Sequence, residues 1–88
     1  MARYEINMET TAQMGGVVNA EVLFQMGILA ATGRNGEVCN IEAHKWFNLA
    51  ALKGKPEAAD YRSEIAAEMS KDEVRTALKS AREWLSVH

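Results

Sequence analysis

The stretch Ile41–Gly54 constrains the fold most, because it carries a complete set of helix signals. Asn40 is a candidate cap for the start of a helix, since its side-chain oxygen can accept a hydrogen bond from a free backbone N–H of the first turn. Apolar residues then recur at helical spacing on one face, namely Ala43, Phe47, Ala50 and Ala51. Gly54 and Pro56 follow, and both residue types commonly end helices. The stretch predicts one well-bounded helix, and its mixture of bulky and small side chains predicts close contact with another helix.

A capping signal and a glycine characterise the preceding segment. Asn19 is a candidate cap for a helix over Ala20–Thr32. Gly27, in the middle of that helix, costs about 1 kcal/mol relative to alanine. We therefore expect a packing reason for Gly27, namely the close approach of a neighbouring helix. Gly33–Cys39 then predicts a loop, because glycine and asparagine supply the positive φ angles that a chain reversal needs.

The second half of the chain predicts two more helices. Pro56 suits the first position of a helix over Pro56–Met69. Ser70 and Glu73 form a capping-box pattern before the last helix, whose apolar face comprises Val74, Leu78, Ala81 and Leu85. The sequence thus predicts an all-α fold of two antiparallel helical hairpins. Residues 1–18 show no convincing period and are predicted as a weakly ordered N-terminal arm, with a frayed helix or a strand-like segment as alternatives.

The totals limit the class of protein. A length of 88 residues predicts one domain, and the net charge of −2 argues against nucleic-acid binding, which favours a clear basic excess. A single cysteine, Cys39, excludes an intramolecular disulfide framework and fits a reducing compartment. The longest uncharged runs, Thr10–Ala20 and Val22–Gly33, are too short to span a bilayer, and the N-terminus lacks the apolar core of a secretory signal. We predict a cytoplasmic protein that does not bind membranes.

Two segments occupy equivalent places 36 residues apart, since Ala20–Val22 corresponds to Pro56–Ala58. Periods in the mid-thirties are typical of helix–turn–helix arrays. The chain resembles the Sel-one-like repeat family, a variant of the tetratricopeptide-type helical hairpin, and its segment AHKWFNLAA resembles bacterial members. The resemblance rests on Met26, Gly27, Gly33, Ala43, Lys45, Trp46, Phe47, Ala50, Ala51, Gly54 and Ala58. The family's first-helix tyrosine is replaced by Ala30.

The resemblance implies a fragment of a tetratricopeptide-like α/α superhelix, with one domain over residues 19–88. A first hairpin would span residues 20–54 and a capping hairpin residues 56–87, stacked on one another. It also implies a non-catalytic scaffold for protein–protein interaction, which binds a peptide or protein segment on its concave face. Cys39 alone does not support the cysteine-rich relatives that were described as hydrolases.

The same resemblance identifies candidate binding residues on the first helix of each hairpin. These candidate partner-binding positions are Glu21, Phe24, Ile28, Glu57, Asp60, Glu64 and Glu68. They would form a groove with an apolar half and an acidic half, which suits a segment with basic and apolar side chains. The alternative is that the acidic residues form a simple solvated helix face. The predicted structural core comprises Gly27, Trp46, Phe47, Ala50, Ala51, Tyr61, Ile65, Leu78 and Trp84.

The remaining conspicuous residues favour structural roles over other functions. His44 is interpreted as an exposed helix residue rather than an acid–base group, and Cys39 with His44 matches no zinc pattern. No catalytic set, metal site or cofactor site is therefore predicted. Trp46, Phe47 and Trp84 are interpreted as core residues rather than as a ligand-stacking set. The alternative to an adaptor is a homodimer, in which the open repeat ends pair through Val22, Leu23 and Ile28.

Overall fold

The computed structural model describes residues 19–34 and 36–87. Four α-helices follow one another: α1 (Ala20–Thr32), α2 (Asn40–Leu52), α3 (Glu57–Ala66) and α4 (Lys71–Val87). The prediction of an all-α fold is confirmed for this part of the chain. The predicted N-terminal arm, residues 1–18, lies outside the described residues.

Two of the predicted helix starts have the expected hydrogen bonds. The side-chain oxygen of Asn19 accepts a hydrogen bond from the backbone N–H of Val22 at 2.9 Å. The capping box before α4 is complete, since the Ser70 N–H donates to the Glu73 carboxylate at 2.8 Å and the Glu73 N–H donates to the Ser70 hydroxyl at 3.1 Å. These contacts satisfy backbone donors that have no partner inside the helix.

Three predicted boundaries are wrong, and one of them is the start of α3, which begins at Glu57 with Pro56 as its N-cap. Asn40 is the first residue of α2 rather than its cap, and the preceding Cys39 makes no side-chain capping bond. The backbone of Cys39 explains the shift, because its N–H donates to the Ala30 carbonyl at 2.9 Å and its carbonyl accepts from Ala43 at 2.9 Å. The third helix ends at Ala66, three residues before the predicted Met69.

The early end of α3 follows from its last hydrogen bonds. Glu68 donates to the Ile65 carbonyl and Met69 to the Ala66 carbonyl, each over 3.0 Å and each to the third residue back. Such bonds tighten a final helical turn. The chain then reaches Ser70, which caps α4.

The central helix is α2, which packs against all three other helices. The core cluster of buried residues consists of Leu23, Ala30, Ala43, Phe47, Leu49, Ala50, Ala58 and Ala81, and α2 supplies four of these eight. Contacts between α3 and α4 are few, because both helices pack mainly against α2. The arrangement as two stacked hairpins stays a prediction.

Gly27 of α1 is in close contact with Phe47 of α2. A Cβ atom on Gly27 would lie 2.5 Å from Cε1 and 2.6 Å from Cδ1 of the Phe47 ring. These distances are far below carbon–carbon contact distance, so only glycine fits without a shift of the ring or the helix. The predicted packing reason for Gly27 is therefore present.

Two aromatic groups extend the core to α3 and α4. The Phe47 ring lies 5.4 Å from that of Tyr61 and 5.7 Å from that of Phe24, while Phe24 and Tyr61 meet edge to face at 5.0 Å. Trp46 meets Trp84 of α4 edge to face at 5.9 Å. Such pairs add stability beyond their burial, about 0.5–1.5 kcal/mol each.

The predicted core residues divide by exposure. Phe47, Ala50 and Gly27 are buried, and the half-buried ones are Trp46, Ala51, Ile65, Leu78 and Trp84. Tyr61 is a correction, because 41% of its surface is exposed. Its ring packs against Phe24 and Phe47, while the exposed part of the residue faces solvent.

We expect Gly27→Ala to destabilise the protein by about 1–2 kcal/mol, although alanine is the better helix former. Overpacking of a filled core costs about 1–3 kcal/mol, and the gain in helix propensity offsets up to about 1 kcal/mol of that. The midpoint of urea unfolding at unchanged slope measures the loss. The matched control is the same substitution in a Phe47→Leu background, where its cost should shrink. A stabilised Gly27→Ala protein would contradict the close contact.

Candidate functional site

Three charged residues converge where α1, the α2–α3 connection and α3 adjoin. The Lys55 ammonium lies 2.8 Å from the Glu21 carboxylate and 3.4 Å from the Glu57 carboxylate. It also lies 4.9 Å from the centroid of the Phe24 ring, within the range of a cation–π contact. One lysine thus joins the two glutamates that occupy equivalent positions in the 36-residue comparison.

The electrostatics of this group follow from those contacts. Hydrogen bonds from Lys55 and Gln25 hold the pKa of Glu21 below its usual value, and the hydrogen bond to Glu21 raises the pKa of Lys55. The pKa of Glu57 is lowered mainly by its own backbone N–H and then by the charge of Lys55. Because both carboxylates are well exposed, solvent screens these ion pairs and their effect on stability is small.

Sequence reasoning missed Lys55. It lies in a short connection outside the helical faces and belongs to no motif. The 36-residue spacing between Glu21 and Glu57 was the only sequence signal that relates these two residues. It does not predict that one lysine contacts both of them. The acidic half of the predicted groove is therefore partly neutralised at one end.

The rest of the predicted acidic row is open. Asp60, Glu64 and Glu68 are exposed, and none of the three has a salt bridge within residues 19–34 and 36–87. Asp60 and Glu64 are one turn apart on α3, whereas Glu68 lies just beyond its end. We refer to these three residues as the acidic face. Tyr61 adds a 41% exposed ring beside them.

The apolar half of the predicted groove is smaller than expected. Phe24 and Ile28 are half-buried and pack against the core cluster, so only part of each side chain is accessible. Leu23, one of three residues predicted to pair in a homodimer, is 0% exposed and has no accessible surface for a partner. The homodimer itself stays a prediction.

His44 corrects the interpretation of an exposed helix residue, because it is only 3% exposed. Its Nδ1 atom is buried without a hydrogen-bond partner among the described residues. Burial lowers the pKa of its imidazole, and the positive charge of Arg62 lowers it further. The prediction failed because α2 is surrounded by three helices, which also bury a position beside the apolar face.

Arg62 connects α3 to α2 in the same region. Its guanidinium donates a hydrogen bond to the Asn48 side-chain oxygen at 2.6 Å. A hydrogen bond from a charged donor is stronger than a neutral one, so it helps to fix α3 against α2. Cys39 is half-buried and free of disulfides, and the described part of the chain holds no group of three or more His, Cys, Asp or Glu placed to bind a metal ion.

Comparisons with family models, with curated proteins and with solved structures return no match. The resemblance to Sel-one-like repeats therefore stays a prediction based on the residues given above. Among the described helices, none combines the length and the apolar composition needed to cross a bilayer.

We expect the stability of the protein to fall as the pH drops below about 6.5, the unperturbed value for histidine. Because the folded-state pKa of His44 is depressed, the unfolded chain takes up a proton in this window that the folded chain does not. One such proton changes the free energy of unfolding by at most about 1.4 kcal/mol per pH unit. Urea titrations between about pH 7.5 and pH 5.5 measure the slope.

The control for this pH dependence is His44→Leu, which removes the titrating group and the unpaired nitrogen together. Its stability should change less with pH across the same window. The depressed carboxylates Glu21 and Glu57 act in a different range, since their contribution is lost only as the pH falls below about 4.5. Equal slopes for the wild type and for His44→Leu would contradict the assignment.

Proposed function

We propose that the protein is a non-catalytic interaction module that binds a protein or peptide segment where α1 and α3 adjoin. The observation that carries the proposal is the acidic face, whose three carboxylates are exposed and have no salt bridge among the described residues. Like charges one turn apart repel each other and slightly destabilise the helix, and a basic partner that binds them removes this repulsion. The described residues offer no comparable set for catalysis.

The chemistry of the partner follows from what surrounds the carboxylates. Tyr61 exposes 41% of its surface beside Asp60 and Glu64, and Phe24 contacts its ring edge to face. An aromatic ring beside carboxylates suits lysine or arginine, whose aliphatic stem covers the ring while the charged group reaches the carboxylates. The partner segment therefore combines basic and apolar side chains.

The proposal extends to the architecture of the binding face. In the Sel-one-like arrangement that we propose, α1 and α2 form the repeat hairpin and α3 and α4 form the capping hairpin. The first helix of each pair then lines the concave face, which puts Glu21 and Glu57 at matching positions. The shared contact of Glu21 and Glu57 with Lys55 supports this alignment, as does the tight packing of Gly27 on Phe47.

We expect the double charge reversal Asp60→Lys with Glu64→Lys to abolish capture of the partner while helicity stays unchanged. Two attractive contacts become repulsive ones, which lowers affinity by about tenfold or more. Affinity capture from the native source, followed by identification of the retained proteins, provides the measurement. Circular dichroism checks that the variant is folded.

A matched control carries the same change in net charge elsewhere. Glu37→Lys with Glu83→Lys reverses two exposed carboxylates in the α1–α2 loop and on α4, away from the acidic face. A partner retained by the wild type and by this control, but lost by the Asp60 and Glu64 variant, supports the proposal. Capture that is equal for all three proteins refutes it.

A further inference from the structure

An open groove of about 460 Å³ lies between the end of α3 and the first half of α4. It exists because α3 and α4 pack mainly against α2 and make few contacts with one another. The groove is lined by Ala66, Met69, Lys71, Val74, Arg75 and Leu78. We call it the α3–α4 groove. It is shallow and open to solvent, so it suits side chains on the surface of a partner rather than an enclosed small molecule.

The groove has an apolar floor and a basic rim. Val74 and Leu78 of α4 are half-buried and share one side of the helix with Leu85, which is 37% exposed. At about 100° per residue, Lys71, Arg75 and Arg82 lie next to this apolar strip, within about 60° of Leu78. Asp72 and Glu83 lie farther around α4, by about 120–140°. The charged residues that line the groove are thus two cations, Lys71 and Arg75, and the nearest carboxylate, that of Asp72, lies 2.8 Å from Arg75.

The two basic side chains of the rim are free to meet a new partner. Arg75 donates to Asp72 at 2.8 Å, but the two side chains are 72% and 92% exposed, so this surface pair is weak and exchangeable. Lys71 has no salt bridge within the described residues. It is also the first residue of α4, where the helix dipole disfavours a cation and favours an anion. A carboxylate of the partner that binds beside Lys71 interacts favourably with both the lysine and the helix dipole.

We propose that the α3–α4 groove binds an amphipathic helix of a partner protein that carries carboxylates beside two or more apolar side chains. The apolar side chains fill the floor between Met69, Val74 and Leu78, and the carboxylates meet Lys71 and Arg75. This is helix-in-groove recognition, in which the apolar anchors recur at helical spacing. The groove shares no lining residue with the acidic face, so the proposal stands or falls independently of the proposed function.

A second copy of the chain does not offer a helix that carries carboxylates beside two or more apolar side chains. Two α4 helices that paired across a symmetry axis would bring their basic rows together, which is repulsive. The acidic face of another copy supplies carboxylates, but the Tyr61 ring beside them is held against Phe24 and Phe47 of its own core. The exposed Ala67 is too small to cover a floor formed by Met69, Val74 and Leu78. An anionic membrane surface would also meet the basic rim, so lipid vesicles form a separate arm of the test.

The test uses the full chain, isotope-labelled for amide NMR, and a synthetic peptide of about 14 residues. In the peptide, leucines recur at i, i+3, i+4 and i+7 and glutamates take the flanking positions. We expect saturable shifts of the amides from Ala66 to Leu78.

Lys71→Glu with Arg75→Glu should weaken binding by about tenfold or more. Val74→Thr, which keeps the shape of the side chain, should weaken it several-fold.

The matched control is Arg34→Glu with Lys53→Glu, which makes the same change in net charge at exposed positions outside the groove. This variant should bind the peptide as the wild type does. A peptide with glutamine in place of glutamate should bind more weakly, and added salt should reduce the difference.

Several results would overturn the proposal. Absence of shifts at millimolar peptide, or equal affinity for the Lys71 and Arg75 variant, would remove the groove as the binding site. Shifts that appear on concentrating the protein alone would identify a second copy as the occupant. Shifts of α4 with phosphatidylserine vesicles, in the absence of any response to the peptide, would identify a membrane surface instead.

Discussion

The contact between Gly27 and the Phe47 ring is the constraint on which the other helices depend. A ring that enters the space of a missing Cβ brings α1 and α2 unusually close, because no side chain separates them at that point. The position of that ring then determines where Phe24 and Tyr61 can pack, since both contact it. The face formed by α1 and α3 is thus a consequence of one glycine and one phenylalanine, and neither residue belongs to a binding surface itself.

A small domain has little apolar surface to bury, and here most of the packing takes place around the single central helix α2. It is covered by three helices, and it buries the small side chains Ala43 and Ala50 beside the large Phe47 and Leu49. The same crowding buries His44 with an unpaired nitrogen, which costs stability in the neutral imidazole and would cost more in the charged one. The Arg62–Asn48 hydrogen bond lies on the same pair of helices and offsets part of this cost by fixing α3 on α2. Polar groups therefore contribute to the specificity of packing here.

Local signals predicted the local features of this chain, and tertiary contacts decided the rest. The caps at Asn19 and Ser70 depend on neighbours within three residues, so the sequence contains all that forms them. The burial of His44 and the exposure of Tyr61 depend on how many helices surround α2 and α3, which no periodicity reports. The ion pairs of Lys55 with Glu21 and Glu57 join α1, the α2–α3 connection and α3, which come together only in the folded chain.

The distribution of charge explains how a chain with a net charge of only −2 can have two surfaces of opposite sign. Ala66 lies about 160° around α3 from Glu64, so the basic groove and the acidic face occupy opposite sides of one helix. The distance across one helix is comparable to the Debye length, which is about 8 Å at physiological salt. Salt therefore screens the two surfaces incompletely, and each still weakens the electrostatic field of the other. A partner on one surface neutralises that opposing field. Binding of a basic segment to the acidic face should therefore slightly strengthen the field at the groove, and the coupling should fade as salt increases.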